Sequence, residues 1–306
     1  MMHWIKSAGL AVAALVTLSS CDRGAPAIAY DWPAPSPPFY EISNANGEVE
    51  GWMLGTIHAL PDGVNWRTPA IDQAARSADA LWVEIAQLGD SGAIASTFSD
   101  LAATPDLGPL KARIDPALHA PLGEMLERSD YSAGDFDDIE SWAAALMLAS
   151  VDAPSDPRNG VDRAIIAQFK ERGDAGALAG GIEGFETAAG QLGIFDQLAA
   201  PDQRALLEGT IRAWDEQRGD RLRLVRTWLV GDIAALEATT TQGFMADPDI
   251  YEALLVARNE AWIAPIITAL EGEPRPLVAV GAAHLVGPDG IAAMLEERGY
   301  QVRRVE

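Results

Sequence analysis

Cysteine is almost missing from this chain: Cys21 is the only one in 306 residues, so no intramolecular disulfide can form. Basic side chains are scarce as well. There are 22 against 45 acidic ones, a formal charge of −23, and a nucleic-acid backbone would be repelled over most of such a surface. DNA and RNA are therefore excluded as partners. Histidine occurs four times in the whole chain. Apolar residues are not lacking: at 48% they suffice to bury a sizeable core, in one large or two small domains.

The longest early apolar run, Ala8 to Leu18, is too short to span a membrane as a stable helix, and it follows a short start carrying Lys6. It closes on Leu18-Ser19-Ser20-Cys21, which resembles a bacterial lipobox, in which the preceding sequence is cleaved and Cys21 takes the lipid. Residues 1–20 are thus expected to be a lipoprotein signal peptide. Acyl chains on Cys21 would hold the protein outside the cytoplasm, at a membrane surface of the bacterial cell envelope. Asp22 resembles an inner-membrane retention signal, a rule that varies between bacteria. The stretch Asp31 to Pro38 contains four prolines and favours extended, polyproline-like chain, so residues 21–38 read as a lipidated cysteine and a tether.

The folded part is expected to run as one α/β domain over 39–306. Two strand-like runs, Phe39 to Ser43 and Glu48 to Leu54, flank Asn46-Gly47, a pair suited to a tight reversal. Thr68 is a good N-cap and Pro69 a good first helical residue, with Ile71, Ala74, Ala75 and Ala78 at helical spacing. This helix delivers the chain to Ala80-Leu81-Trp82-Val83-Glu84-Ile85, an apolar run broken by one carboxylate. Alanine-rich helical patterns follow, with a short strand expected over Ala177 to Glu183. Further helices are expected over about 202 to 240 and about 249 to 271, the latter kinked by Pro265. A strand over 276–281, a helix over 288–298 and a strand over 300–305 close the chain.

Two of the four histidines sit in the same local phrase. Gly55-Thr-Ile-His58 follows one strand, Gly281-Ala-Ala-His284 follows another, and Pro-Asp-Gly stands a few residues on in each case. A histidine just past a strand end is held on rigid scaffolding, in the crevice where open α/β sheets bind ligands. The glycine three residues earlier lets the chain turn or another group approach. If the two units are related by a pseudo-twofold, His58 and His284 face each other with Glu84 on a neighbouring strand. Two imidazoles and a carboxylate suit zinc, manganese, cobalt or iron(II), with positions left for water and substrate. Such a metal would polarise a carbonyl and activate water. Its bonds, about 2.0 to 2.2 Å long, require the three side chains to come within roughly 5 Å of one another. Without metal, Glu84 could serve as a general base beside a histidine.

Gly55-x-x-His58, Trp82-Val83-Glu84, Ala257-Arg258-Asn259 and Val280-Gly281-Ala282-Ala283-His284-Leu285-x-Gly287-x-x-Gly290 together resemble the TraB/GumN family, related to Tiki-type proteins and the erythromycin esterase/ChaN-like superfamily. Gly299-Tyr300-x-Val302 matches too, and more loosely Gly160-Val161-Asp162 and Ile182-Glu183 with Gln191 downstream. The resemblance covers nearly all of 39–306. It implies an erythromycin esterase/ChaN-like fold: two pseudo-symmetric β/α halves around a central sheet, with a helical insertion between them. It also implies a metal-dependent hydrolase, as in the Tiki-like proteases, acting on a peptide or small molecule; superfamily relatives include a metal-independent esterase and a haem-binding protein, so fold alone does not fix the reaction. A non-catalytic module that binds a ligand or protein stays open beside both. The family carries over His58, Glu84 and His284 as metal residues, with Glu84, Arg258 and Asn259 as catalytic ones. Glu183 is a further candidate, although Gly184-Phe185-Glu186-Thr187 departs from the usual Leu-Glu-Thr and allows Glu186 instead. Arg258 and Asn259 would bind a substrate carboxylate or stabilise an oxyanion; the plainer reading pairs the arginine with one of many surplus carboxylates.

Overall fold

The computed structural model describes residues 30–89 and 91–306. The signal peptide, Cys21 and the first part of the tether lie outside the described residues. Six strands form one mixed sheet: β1 (Phe39–Ser43), β2 (Val49–Thr56), β3 (Ala80–Ile85), β4 (Ile182–Glu186), β5 (Pro276–Gly281) and β6 (Gln301–Arg304), in the order β4-β3-β5-β2-β1-β6. Sequence pattern sorts the strands across the sheet. The unbroken apolar run Pro276-Leu-Val-Ala-Val makes β5 a central strand, buried on both faces, whereas Gln301-Val-Arg-Arg alternates at one edge and places charge there.

The expected β1–β2 hairpin is present, and β2, β5, β3 and β4 run parallel to one another. The chain passes from β2 to β3 through helix Pro69–Ser77, whose N-cap Thr68 accepts a hydrogen bond from Ile71 N–H. It passes from β5 to β6 through helix Ile291–Glu296 in the opposite direction across the sheet. The two crossovers echo each other, but the halves do not repeat strand for strand, because β1 is interposed between β2 and β6. What the structure establishes is an α/β domain with a mixed sheet and many helices.

Alternation along the strands assigns the faces. Leu81, Val83 and Ile85 enter a large core shared with the helices of 91–240, among them the wholly apolar-faced Ser141–Leu148. Met53, Val278 and Val280 point to the other face, where they meet Trp262, Ile263 and Ile266 of helix Ala257–Glu271. Glu84, one residue out of step with Val83, therefore faces that helix. The run Pro248–Glu271 is long and apolar enough to cross a membrane by length and composition alone, yet Trp262, Ile266 and Leu270 are buried against this sheet.

Three expectations need correction. The fourth strand begins at Ile182 instead of Ala177, so Glu183 stands at its start, exposed, and Glu186 at its carboxyl end. The helix expected from about 249 to 271 is not regular throughout: a π-helical turn over Glu252–Val256 precedes helix Ala257–Glu271, which contains Pro265. Residues 30–38 are not a free tether. Tyr30 and Trp32 pack on the core, Ser36 N–H donates to Leu229 O at 2.7 Å, and Arg304 donates to Ser36 O at 2.9 Å.

Candidate functional site

The two Gly-x-x-His phrases leave adjacent central strands in register: Gly55 pairs with Val280 and Thr56 with Gly281. More than 200 residues of separation thereby become neighbourhood at the carboxyl ends of β2 and β5. Glu84, near the end of β3, joins them. A methyl group built on Gly281 would lie 3.0 Å from Glu84 Oε1, 3.6 Å from His284 Cδ2 and 3.8 Å from His58 Nε2. Glycine at 281 keeps this point, common to all three side chains, free of protein.

His58 is oriented by a residue whose part the sequence did not reveal. The loop after β2 is pinned to residues 156–161, with Leu60 N–H donating to Asp156 O at 3.3 Å and Val161 N–H to Ile57 O at 3.0 Å. This brings Asp162, in the first turn of helix Val161–Asp174, to His58: Nδ1 lies 3.1 Å from Asp162 Oδ2. Gly160 is required in the junction, since a side chain there would collide with His58 O and Asp162 Oδ1. Burial alone would lower the His58 pKa, but the carboxylates of Asp162 and Glu84 outweigh it and raise it to about 9. His58 Nε2 makes no hydrogen bond to the described residues, and 18% of the side chain stays exposed, so this nitrogen is available to a ligand.

His284 is held in the contrary state. Asn259, fully buried, donates through Nδ2 to Asp289 O at 2.8 Å and His284 O at 3.3 Å. Its Oδ1 therefore accepts from His284 Nδ1–H at 2.7 Å. The other ring nitrogen, Nε2, accepts from Arg258 Nη1 at 3.1 Å, and Trp262 packs on the ring with centroids 4.6 Å apart. Burial and the arginine charge push the His284 pKa down to about 3, so the ring is neutral.

Arg258 ties the site together. Its Nη2 donates to Glu84 Oε2 at 2.8 Å and to Glu186 Oε2 at 3.0 Å, and its Nε to Glu186 Oε1 at 2.8 Å. Its Nη1 donates to Leu254 O at 3.1 Å as well as to His284. All five guanidinium protons are thus taken, leaving none for a substrate carboxylate or an oxyanion. Glu84 is equally engaged: Oε1 accepts from Gly281 N–H at 2.7 Å, and Oε2 also accepts from Gln191 Nε2 at 3.1 Å. Burial would raise its carboxyl pKa, but Arg258, His58 and the Gly281 amide hold it far below the usual carboxylate range.

With this geometry in view, a family model described as TraB/PrgY/gumN matches residues 38–304. The chain belongs to the TraB/PrgY/gumN family. No curated protein and no solved structure matches it. Of the residues the resemblance carried over, His58, Glu84, Arg258, Asn259 and His284 form one connected cluster, with Gly55 and Gly281 at the carboxyl ends of β2 and β5. Glu183 stands apart, exposed near the start of β4, whereas Glu186, the strand's last residue, accepts from Arg258.

The cluster does not fit a metal held by His58, Glu84 and His284. Arg258 occupies the lone pair His284 would offer and one oxygen of Glu84. Among the described residues, the three donors do not form a set lying within 4.8 Å of one another; Asp202, Asp247 and Asp249 do, at the N-terminal ends of other helices. Sequence reasoning missed Asp162 and Trp262 as working members; Glu186, offered only as the alternative to Glu183, is the one that bonds Arg258. A signal existed for Asp162, since Gly160-Val161-Asp162 matches the family loosely.

Proposed function

We propose that this family member is a hydrolase of esters or amides that uses acid–base chemistry and no metal ion, with His58 as the base. The observation that carries this reading is the polarised pair: Asp162 holds Nδ1 of His58 while Nε2 opens onto the space that Gly281 leaves beside Glu84 Oε1. A water bridging Glu84 Oε1 and neutral His58 Nε2 would give its proton to His58 as it attacks the substrate carbonyl. Asp162 stabilises the imidazolium so formed, which then returns the proton to the leaving group as the carbon–heteroatom bond breaks. Arg258, His284 and Asn259 act by fixing the position and charge of Glu84. The leader and Cys21 support an envelope location on the outer side of a membrane, reached through a lipid anchor.

The experiment is turnover of a panel of activated esters and peptides by the full chain, with and without chelator. His58→Ala is expected to lower kcat/KM by about 10²–10⁴-fold, and EDTA to leave it unchanged. Loss on chelation with recovery on adding manganese, cobalt or zinc would replace this reading with the metal-dependent one. Tight ligand retention without any turnover would make the chain a binding module.

A further inference from the structure

Thr56, inside the first Gly-x-x-His phrase, is the last residue of β2 and only 3% exposed. Among the described residues its hydroxyl has no hydrogen-bond partner. A buried hydroxyl without a partner is costly, and beside a site it marks a place for a bound molecule. Strand register fixes where this one stands. Thr56 pairs with Gly281 in the parallel ladder of β2 and β5, two steps beyond the pair Leu54–Ala279, and alternation puts both pairs on the face of the large core. Neighbouring strands lie about 4.8 Å apart, so the Thr56 side chain is about one strand spacing from a methyl position on Gly281. That position is 3.0 Å from Glu84 Oε1 and 3.8 Å from His58 Nε2. Thr56 therefore borders the same space from a third side.

The donors around that space are otherwise engaged. Arg258 spends all five protons, Asn259 Nδ2 bonds two carbonyls, Gln191 Nε2 bonds Glu84 and Glu186, and Gly281 N–H bonds Glu84 Oε1. Glu84 Oε1 and neutral His58 Nε2 are both acceptors. A water between them gives away both its protons and keeps two lone pairs. We infer that Thr56 Oγ1–H donates to one of these, so that the other alone points at the substrate carbonyl carbon. A one-third turn about Cα–Cβ exchanges hydroxyl and methyl between staggered wells, so the strand need not move for the contact to form. Three hydrogen bonds are the ordinary complement of a buried water. Attack by this water rests on the hydrolase reading; the three-point water site does not.

The test pairs a high-resolution crystal structure of the full chain with kinetics on the activated ester it turns over fastest. One water within about 2.5–3.2 Å of Thr56 Oγ1, Glu84 Oε1 and His58 Nε2 is expected. It should be displaced in Thr56→Val, which keeps the side-chain shape and removes the donor. The kcat of Thr56→Val should fall about 10- to 100-fold with KM and the circular dichroism spectrum unchanged, and Thr56→Ser should recover most of it. The limb near pH 9 should stay in place, since Thr56 holds the water and not the imidazole. A water on Glu84 and His58 but out of reach of Oγ1, full kcat in Thr56→Val, or no recovery in Thr56→Ser would overturn the inference. So would a limb that moves in Thr56→Val, which would make Thr56 a partner of His58 instead. A three-point water in a chain that turns over no ester would retire the hydrolase and keep the site; turnover that Thr56→Val leaves intact would do the reverse.

Discussion

At the scale of single residues, the site is two histidines driven to opposite protonation states by their partners. His58 has carboxylates on two sides, and His284 has an arginine on one nitrogen and an amide oxygen on the other. With a pKa near 9, His58 is an imidazolium at neutral pH, so kcat/KM should climb with pH up to a limb near 9. Asp162→Ala should move that limb downward and lower the plateau; a limb that stays in place would remove Asp162 from the relay. The same shift sets a stability trend. A group whose folded pKa is raised stabilises fully below its unfolded value, about 6.5, and loses that contribution as pH passes through about 9. Arg258 supplies the second residue-scale prediction. Arg258→Ala leaves Glu84 and Glu186 unpaired, which should cost about 3–5 kcal/mol at neutral pH by urea unfolding. Because the carboxyl of Glu84 is depressed in the native protein, the deficit should shrink as pH falls and the orphaned carboxylates protonate. A deficit independent of pH would mean that lost packing on Trp262, over which the guanidinium lies at 4.7 Å, dominates instead.

At the scale of elements, the sequence was most legible where local chemistry and tertiary packing ask for the same thing. Thr68-Pro69 opened its helix as expected, Asn46-Gly47 turned its hairpin, and the apolar run before Gly281 became the central strand. The two histidine loops were readable because each depends on a strand and a glycine that lie close by in sequence. The ligand set around them was not readable, because Arg258 reaches Glu84 across 174 residues and Asp162 reaches His58 across 104. Nothing local to Arg258 says that all five of its protons are spent. The start of β4 was misplaced because Gly180-Gly181 interrupts an apolar run, and only pairing with β3 fixes where the strand begins. Helix Ser141–Leu148 shows the limit of periodicity: apolar on every side, it gives no face to read, and all seven residues after Ser141 are buried. Trp142 anchors it, edge-on to Phe98 and stacked on Phe195 with centroids 5.4 and 6.2 Å away. Trp142→Ala should therefore cost about 3–5 kcal/mol in denaturant unfolding. A loss below about 1 kcal/mol would show that the helical layer collapses readily around the gap.

At the scale of the whole molecule, the excess of acid is the property most exposed to solvent conditions. Much of the basic complement is already engaged: Arg303 with Glu41, Arg226 with Asp220, Arg218 with Glu124 and Asp215. Exposed pairs of this kind contribute about 0–1 kcal/mol each and weaken with salt. The unpaired carboxylates left over repel one another, and that repulsion also weakens with salt. The two effects have opposite signs, and a formal charge of −23 decides between them. Between about 10 mM and 150 mM ionic strength the Debye length falls from about 30 Å to about 8 Å, so repulsion across the surface is lost while contacts under 3 Å largely persist. The melting temperature of the full chain in a non-ionic detergent should rise with NaCl over this range and then level off. Scanning calorimetry at fixed pH measures it, with potassium chloride in place of sodium chloride to show that ionic strength and not a specific ion is responsible. A melting temperature that falls with salt would show that the surface pairs outweigh the repulsion. The buried Glu84–Arg258–Glu186 cluster should not follow the trend, so the destabilisation caused by Arg258→Ala should be nearly the same at both ends of the salt series.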